Sequence, residues 1–115
     1  MNTYLEPLVS IIMPSYNHSK FIGKALKSVL DQSYQNWEAI IIDNQSTDET
    51  DKILGMFNDT RFKYFKINNN GIIAKSRNLG IKLAKGEWIA FLDSDDWWTS
   101  DKLEVCLKNN NNDDV

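Results

Sequence analysis

Four short apolar runs are spaced along the chain, and each predicts a β-strand. The first run, 9–13, is rich in β-branched residues and predicts a buried strand that ends at Pro14, which has no N–H to donate. A second buried strand is predicted over 37–43. Residues 63–67 alternate between polar and apolar and predict a more exposed third strand, and residues 87–92 predict the fourth.

Helical spacing of apolar residues fills the intervals between these runs. It predicts a first helix over 19–32, with lysines on its solvent face. The Ser-x-x-Glu spacing at 46–49 is that of a capping box and predicts that a second helix opens there. Further helices are predicted over 72–84 and 99–107, and residues 109–115 form a polar tail.

Strand and helix alternate four times, with connections long enough for crossovers. This order is typical of βαβ units and predicts the α/β class, with a mainly parallel, Rossmann-like sheet and helices on both faces. In such sheets ligands bind beyond the carboxyl ends of the strands. Three predicted strands end in polar turns, at 14–17, 43–46 and 93–96, so a parallel sheet would place all three turns along one edge.

Length and charge narrow the function classes. At 115 residues the chain is a single domain, with an expected ordered core over about 8–108. The net charge of −3 and the pI near 5.0 argue against a nucleic-acid partner, which would need a basic face. No apolar stretch reaches the ~18 residues of a membrane span, and no signal-peptide pattern opens the chain. We therefore expect no transmembrane segment and a cytoplasmic protein, or one at the inner face of the membrane.

Three carboxylates, Asp93, Asp95 and Asp96, fall within four positions and leave two alternatives. Like charges this close repel one another unless a cation lies among them. They form either a solvated turn, where acids near a helix N-terminus gain roughly 0.3–1 kcal/mol each, or a site for Mg²⁺ or Mn²⁺, which prefer oxygen ligands. Tyr16 offers a flat face to a nucleobase, and the fork of donors on Arg77 suits phosphate oxygens. Together these residue types describe a nucleotide-diphosphate site.

Several other residues keep a structural alternative. Arg77 is as well suited to an ion pair as to a phosphate, and the tryptophans at 97–98 to packing as well as to a sugar ring. His18 is expected to be an exposed loop residue. Because His18 and Cys106 are each the only one of their kind, the chain has no Ser/His or Cys/His nucleophile pair to recognise and no intramolecular disulfide.

Four segments occur in an order that identifies a family. They are VSIIMPSYN at 9–17, SVLDQSYQNWEAIIIDNQSTDET at 28–50, NGIIAKSRNLGI at 70–81 and KGEWIAFLDSDDWW at 85–98. With them the chain resembles the N-terminal, donor-binding half of family 2 glycosyltransferases, which have the GT-A fold. The resemblance implies transfer of a sugar from a nucleotide-diphosphate sugar to an acceptor hydroxyl, with inversion at the anomeric carbon and help from Mg²⁺ or Mn²⁺.

The resemblance also assigns roles to the two turns that precede the acidic one. It implies that Pro14, Ser15 and Tyr16 form the first wall of the nucleotide pocket. Asp43 and Asn44 stand where the family usually has two acids that contact base and ribose. Because the amide of Asn44 can accept a hydrogen bond from a uracil ring N–H but can also donate one, a UDP-sugar is favoured without being fixed.

The acidic turn and the third helix complete the implied site. Asp93 and Ser94 would lie by the ribose and the diphosphate. Asp95 would bind the metal ion, with Asp93 as a second candidate ligand. Arg77 lies in a motif that faces the donor.

The resemblance also implies an acceptor-binding half and a catalytic base that no motif of this chain matches. Members of the family continue into an acceptor-binding half whose carboxylate is the general base for the acceptor hydroxyl. No acid here matches that base, so we expect it beyond residue 115. The acceptor would be a saccharide or a lipid-linked saccharide, used in cell-envelope polysaccharide biosynthesis. An uncovered apolar surface would favour self-association as a homo-oligomer.

Two rival functions remain to be weighed. A signalling receiver domain has a similar length and architecture, but it needs acids at the end of the first strand, which here ends in Met-Pro-Ser-Tyr. That alternative is poor. The other rival is a non-catalytic module that binds a sugar nucleotide or another protein, and the sequence leaves it open.

Overall fold

The computed structural model describes residues 6–44, 46–68 and 72–112. Within this part of the chain four strands alternate with four helices. In chain order the elements are β1 (Val9–Ser15), α1 (Ser19–Leu30), β2 (Trp37–Asp43), α2 (Thr50–Leu54), β3 (Phe62–Lys66), α3 (Ile73–Leu83), β4 (Trp88–Phe91) and α4 (Lys102–Asn112). The strands form one sheet in the order β3-β2-β1-β4, and every neighbouring pair is parallel.

The sheet carries helices on both faces. Alternate side chains of β1 and β2, including Val9, Ile11 and Trp37, pack with apolar residues of α1, α2 and α4 in one core. The opposite face is covered by α3, where a Cβ added at Gly80 would come within 2.5 Å of Ile12 Cγ2. Only glycine permits this approach, which brings α3 close to the middle of the sheet. The predicted α/β class, with a parallel sheet and helices on both faces, is confirmed.

β1 continues through Pro14 to Ser15, so the prediction that it ends at the proline is wrong. Pro14 is paired with Ile42 in the parallel register. The backbone of Ile12 hydrogen-bonds on the β4 side, where its C=O accepts from the Leu92 N–H at 3.0 Å. The N–H of a residue at position 14 would point the same way, where the pairing of β1 with β4 has already ended at Ile12, so the proline interrupts no paired part of the sheet. β1 therefore carries its last residue to the rim of the sheet.

The second helix begins later than the capping-box spacing predicts. α2 starts at Thr50, and Glu49 at its N-cap makes no side-chain capping hydrogen bond. Ser46 instead donates its hydroxyl to the Asp43 carboxylate and accepts a hydrogen bond from the backbone N–H of Asn17. Because Ser46 is bound to the end of β2 and to the loop after β1, it does not cap the helix.

β4 lies at the edge of the sheet and is only partly covered. Ile89 and Phe91, which are 39% and 45% exposed, face the same side as their register partners Ser10 and Ile12, the side of α3. Exposed apolar surface of this kind is typical of faces that bind another protein. Self-association through it stays a prediction.

The last helix extends further than the pattern predicts. α4 continues to Asn112, so the predicted polar tail is helical up to that residue, and 113–115 lie outside the described residues. Residues 69–71, between the third predicted strand and the third predicted helix, also lie outside them. None of the helices in the described part of the chain combines the length and the apolar character that crossing a membrane requires.

Candidate functional site

Three loops meet at the carboxyl edge of the sheet. The first loop, 16–18, follows β1, the second loop, 44–49, follows β2, and the third loop, 92–101, follows β4. They come together because all four strands are parallel and end at the same edge. Hydrogen bonds between side chains and backbone connect the loops to one another.

Asn17 connects the first loop to the second. Its φ of 52° lies in the left-handed region, which asparagine tolerates better than most residues. In this conformation its N–H donates to Ser46 Oγ at 2.9 Å, and its side-chain oxygen accepts from the Thr47 N–H at 2.8 Å. The start of α1 is held to the same loop, because the Ser19 N–H donates to Asp48 Oδ2 at 3.0 Å.

Two acids beside the second loop are used for its internal structure. Asp43 is buried, and its carboxylate accepts from both the hydroxyl and the N–H of Ser46. Asp48 accepts from the hydroxyl and N–H of Thr50 and from the N–H of Ser19. Burial alone would raise the pKa of Asp48, but these hydrogen bonds outweigh it and lower the pKa to about 2. Both carboxylates thus fix the shape of the loop through the hydrogen bonds that they accept.

In the third loop the serine is buried, whereas the acids on either side of it are exposed. Ser94 is 0% exposed, and its hydroxyl is 2.5 Å from Nδ1 of His18. Asp93 is exposed and forms an ion pair with Arg77 at 3.1 Å. Asp95 is also exposed, and no hydrogen bond or ion pair joins it to any described residue. The buried serine therefore lies between two carboxylates that remain accessible.

The three loops and the start of α3 line one cavity of about 220 Å³. Tyr16 is 52% exposed at its rim, so the ring is accessible to a ligand. The residues that line the cavity are Pro14, Ser15, Tyr16, His18, Asn44, Ile73, Ser76, Asp93 and Asp95.

The Ser15 hydroxyl lies in this cavity wall without a partner. The residue is 5% exposed, and its Oγ makes no hydrogen bond within the described residues. Leaving a buried hydroxyl unpaired costs about 1–3 kcal/mol, so such groups are normally satisfied. A polar atom of a bound ligand would satisfy it here.

The acids of the cavity fit a hard divalent cation that is shared with a ligand. Among the described residues no three His, Cys, Asp or Glu side chains are placed to hold a metal ion by themselves. Asp93 and Asp95 nevertheless line the same cavity, and Mg²⁺ is commonly held by one or two carboxylates plus substrate phosphates. Asp95 has no partner to displace within the described ranges, whereas Asp93 would share its carboxylate with Arg77.

Nearly the whole chain matches one protein family. The sequence model described as glycosyl transferase family 2 matches residues 10–115. The chain belongs to glycosyl transferase family 2. The family predicted from the four sequence segments is therefore confirmed.

Curated family 2 relatives are similar over most of this chain. It is 46% identical over 108 residues to TuaG of Bacillus subtilis (strain 168), whose name assigns it to teichuronic acid biosynthesis. It is 46% identical over 107 residues to WfgD of Escherichia coli, named a UDP-Glc:alpha-D-GlcNAc-diphosphoundecaprenol beta-1,3-glucosyltransferase. The matches cover 92% and 90% of this chain but 43% and 42% of those proteins, so the chain spans less than half of their length.

Solved structures show the same fold. TarS residues 1–349 of S. aureus, in complex with UDP, superposes with a TM-score of 0.83 at 30% identity, covering 90% of this chain and 32% of that one. The mannosyltransferase PcManGT from Pyrobaculum calidifontis, in complex with GDP-Man and Mn²⁺, gives a TM-score of 0.72 at 26% identity, covering 81% and 29%. The family 2 chain thus has the predicted GT-A fold.

Most of the site residues predicted from the sequence line the cavity, and three do not. Asp43 is bound to the second loop, Ser94 to His18 and Arg77 to Asp93, so these three act on residues of the wall or its loops. Their direct contact with a donor stays a prediction. The wall residues among those predicted are Pro14, Ser15, Tyr16, Asn44, Asp93 and Asp95.

Sequence reasoning missed three residues of the wall, namely His18, Ile73 and Ser76. His18 is half-buried and bound to the third loop, so the expectation of an exposed loop residue is wrong. The available signal was its place directly after Pro-Ser-Tyr-Asn and directly before a helix, which puts it at the edge where ligands bind.

The two tryptophans of the third loop have different environments. Trp98 is half-buried and packs against the core, as its structural alternative predicts. Trp97 is 49% exposed, and Lys24 Nζ lies 4.5 Å from its ring centre. A cation–π contact at an exposed site is worth about 0.5–1 kcal/mol, enough to hold the ring beside α1.

Proposed function

We propose that this chain binds the donor of a glycosyl transfer, a nucleotide-diphosphate sugar, in the cavity at the carboxyl edge of the sheet. The reaction transfers the sugar to an acceptor hydroxyl, with inversion and with Mg²⁺ or Mn²⁺ bound. The UDP complex of TarS and the UDP-Glc in the name of WfgD favour a UDP-sugar. The acceptor is a saccharide or a lipid-linked saccharide.

One observation carries the proposal: a single cavity combines an accessible aromatic ring with a buried hydroxyl and a carboxylate that have no partner among the described residues. These belong to Tyr16, Ser15 and Asp95. A nucleotide diphosphate has a flat base, hydrogen-bonding ribose and phosphate oxygens, and a charge that a metal-bound carboxylate can hold. Each group of the cavity therefore has a counterpart in the ligand.

The first and second loops suit the nucleoside. Tyr16 offers its ring for stacking on the base, and Asn44 is a buried residue of the same cavity wall. Ser15 supplies a hydroxyl donor that has no partner in the part of the chain that the structure describes. Asp43 keeps the second loop in shape through both of its bonds to Ser46.

The third loop suits the diphosphate and its cation. Asp95 is the primary metal ligand, with Asp93 beside it, because both carboxylates line the cavity. A bound divalent ion neutralises charge on the leaving diphosphate. Arg77 holds Asp93 in place across 3.1 Å and adds positive charge to this side of the cavity. No residue of this chain is assigned as the base that takes the acceptor proton.

Calorimetric titration with UDP tests the proposal. We expect the chain to bind UDP in Mn²⁺ and to bind it at least about tenfold more weakly in EDTA, since one charge-assisted contact is worth ~1.4 kcal/mol or more. Asp95→Ala should remove the Mn²⁺ dependence. Asp31→Ala is the matched control, because Asp31 is an exposed acid at the far end of α1.

The outcome of the titration separates the alternatives. Equal UDP binding by Asp95→Ala and by wild type in Mn²⁺ would remove Asp95 from the site. If UDP does not bind, GDP, dTDP and CDP show whether another base is preferred. Transfer of the sugar when a UDP-sugar and a lipid-linked GlcNAc acceptor are both supplied would rule out the non-catalytic sugar-nucleotide module.

A further inference from the structure

One hydrogen bond joins the two sides of the donor cavity. Nδ1 of His18, in the first loop, lies 2.5 Å from Oγ of Ser94, in the third loop, across 76 residues of sequence. The first loop carries Tyr16, and the third carries Asp93 and Asp95. The bond therefore sets the separation between the proposed nucleoside side and the proposed diphosphate side.

His18 is held rigidly from its own side. Its C=O accepts from the N–H groups of Phe21 and Ile22, both at 2.9 Å, and so opens the first turn of α1. Its ring meets the Phe21 ring edge-on, with centroids 6.3 Å apart. α1 in turn is packed into the core through Ile22, Ala25 and Leu26, all 0% exposed. The backbone of His18 is thus fixed by a helix that is packed into the core.

Ser94 depends on His18 as its partner. Ser94 is 0% exposed, and His18 is the residue that its hydroxyl hydrogen-bonds within the described part of the chain. The contact satisfies the buried hydroxyl with either ring tautomer, because a hydroxyl can donate to Nδ1 or accept from its N–H. Since Asp93 and Asp95 flank this anchored serine, its position fixes the directions in which both carboxylates leave the loop.

We propose that His18 is a positioning residue that holds the Asp93–Asp96 turn in the shape that binds the diphosphate and its metal ion. It acts through the Ser94 hydroxyl and touches neither the metal ion nor the reacting atoms. The inference rests on the proposed donor site, and it assigns the residue that orients its metal-binding half. Asparagine at position 18 can replace Nδ1 with its side-chain oxygen, whereas alanine leaves Ser94 without a partner.

The first test needs no ligand, and so does not depend on the proposed function. Amide hydrogen exchange and ¹⁵N relaxation are measured by NMR on wild type, His18→Ala and His18→Asn. In His18→Ala we expect exchange of the Asp96 amide, whose N–H donates to the Asp93 C=O at 3.0 Å, to be about tenfold faster, the factor that corresponds to one lost neutral hydrogen bond. His18→Asn should restore slow exchange. Unchanged exchange in His18→Ala would overturn the proposal.

The second test compares two ligands that differ in the diphosphate. In His18→Ala the affinity for UDP with Mn²⁺ should fall about tenfold, while the affinity for uridine should stay within about twofold, because the lost bond lies on the metal side. Ser94→Ala should give the same loss, and the double variant should be no worse than either single one, because both remove the same bond. His18→Asn should recover most of the UDP affinity.

The outcomes distinguish the failure of each idea. Equal losses for uridine and UDP, additive losses in the double variant, or no rescue by His18→Asn would show that His18 serves only general folding and would overturn its positioning role. If wild type binds neither UDP nor another nucleoside diphosphate, the proposed function fails, and the ligand-free exchange data still decide whether His18 holds the turn.

Discussion

Two acidic sites at opposite ends of the same sheet differ in how their carboxylates are satisfied. At the amino end, Glu38 is 4% exposed and accepts hydrogen bonds from the Ser10 hydroxyl at 2.5 Å, the Lys85 N–H at 2.7 Å and Lys63 Nζ at 2.9 Å. At the carboxyl end, Asp95 is exposed and no described residue pairs with it. Three donors thus bind the Glu38 carboxylate, and none in the described part of the chain binds the Asp95 carboxylate.

The difference separates a structural acid from a binding acid. A buried charge is stable only when hydrogen bonds and an opposite charge replace the water it has lost, and Glu38 has both. An exposed acid without partners adds little to stability, yet it can bind a cation without first breaking an internal bond. Substitutions of Glu38 should therefore lower the free energy of unfolding strongly, whereas substitutions of Asp95 should affect cation binding and change stability little.

The largest expected effect is the loss of stability in Glu38→Ala. The change leaves the Ser10 hydroxyl and the Lys85 N–H without their buried acceptor, and it removes the partner of Lys63. We expect the free energy of unfolding in urea to fall by about 2–4 kcal/mol. Glu87→Ala, an exposed acid at the same end of the sheet, should change it by less than about 0.5 kcal/mol. Similar values for the two variants would contradict the structural role of Glu38.

A somewhat smaller loss is expected from Gly86→Ala, which disturbs the same cluster from the backbone side. The Gly86 N–H donates to Ser10 Oγ at 2.8 Å, and an added Cβ would lie 2.6 Å from that oxygen and from the Leu8 carbonyl. Backbone shifts that relieve such contacts cost about 1–3 kcal/mol. The matched control is Gly23→Ala, whose Cβ would make an ordinary contact of 3.7 Å and would favour α1. Equal unfolding free energies for the two variants would count against a tightly packed cluster.

The pH dependence of stability offers a subtler measure of the amino end. Burial alone raises the pKa of Glu38, but hydrogen bonds from Ser10, the Lys85 N–H and Lys63 outweigh it and lower the pKa below the usual 4.5. The folded state then binds the proton less tightly than the unfolded state. The contribution of the ionised Glu38 to the free energy of unfolding is therefore complete above pH 4.5, and it is lost as the pH falls through the lowered pKa.

Glu38→Gln isolates this contribution, because it cannot titrate. The difference in unfolding free energy between wild type and Glu38→Gln should be constant near pH 7 and should shrink below pH 4.5, the usual glutamate value. Asp48 and Asp59, whose pKa values are also lowered, titrate in both proteins and cancel in the difference. A difference that grows with acidification would reverse the assigned direction.

The sequence predicts the elements of this fold well where the signal is local. β2 begins and ends at the residues that its apolar run indicates, and α1 begins at the predicted serine. Errors arise where a distant partner changes the outcome. β1 passes through Pro14 because β4 has already ended beside it, and α2 begins late because Ser46 is bound to another loop.

The sequence predicts which loops form the candidate site, but it does not predict the hydrogen bonds that connect those loops. Parallel order alone brings the polar turns to one edge, as the cavity shows. The partners of Ser94 and Glu38 lie from 25 to 76 residues away, and no local pattern links a histidine to a serine at such a separation. Satisfaction of buried polar groups is a property of the packed chain, and it is what separates the two acidic sites.

The smallest expected effect on stability is that of Asp95→Asn, and it completes the comparison. Because Asp95 has no partner among the described residues and lies near Asp93 and Asp96, removing its charge breaks no bond and relieves repulsion. The free energy of unfolding in urea, measured in EDTA, should stay within about 0.5 kcal/mol of wild type or rise slightly. A loss above about 1 kcal/mol would show that the folded chain itself uses this carboxylate, and the contrast with Glu38 would then disappear.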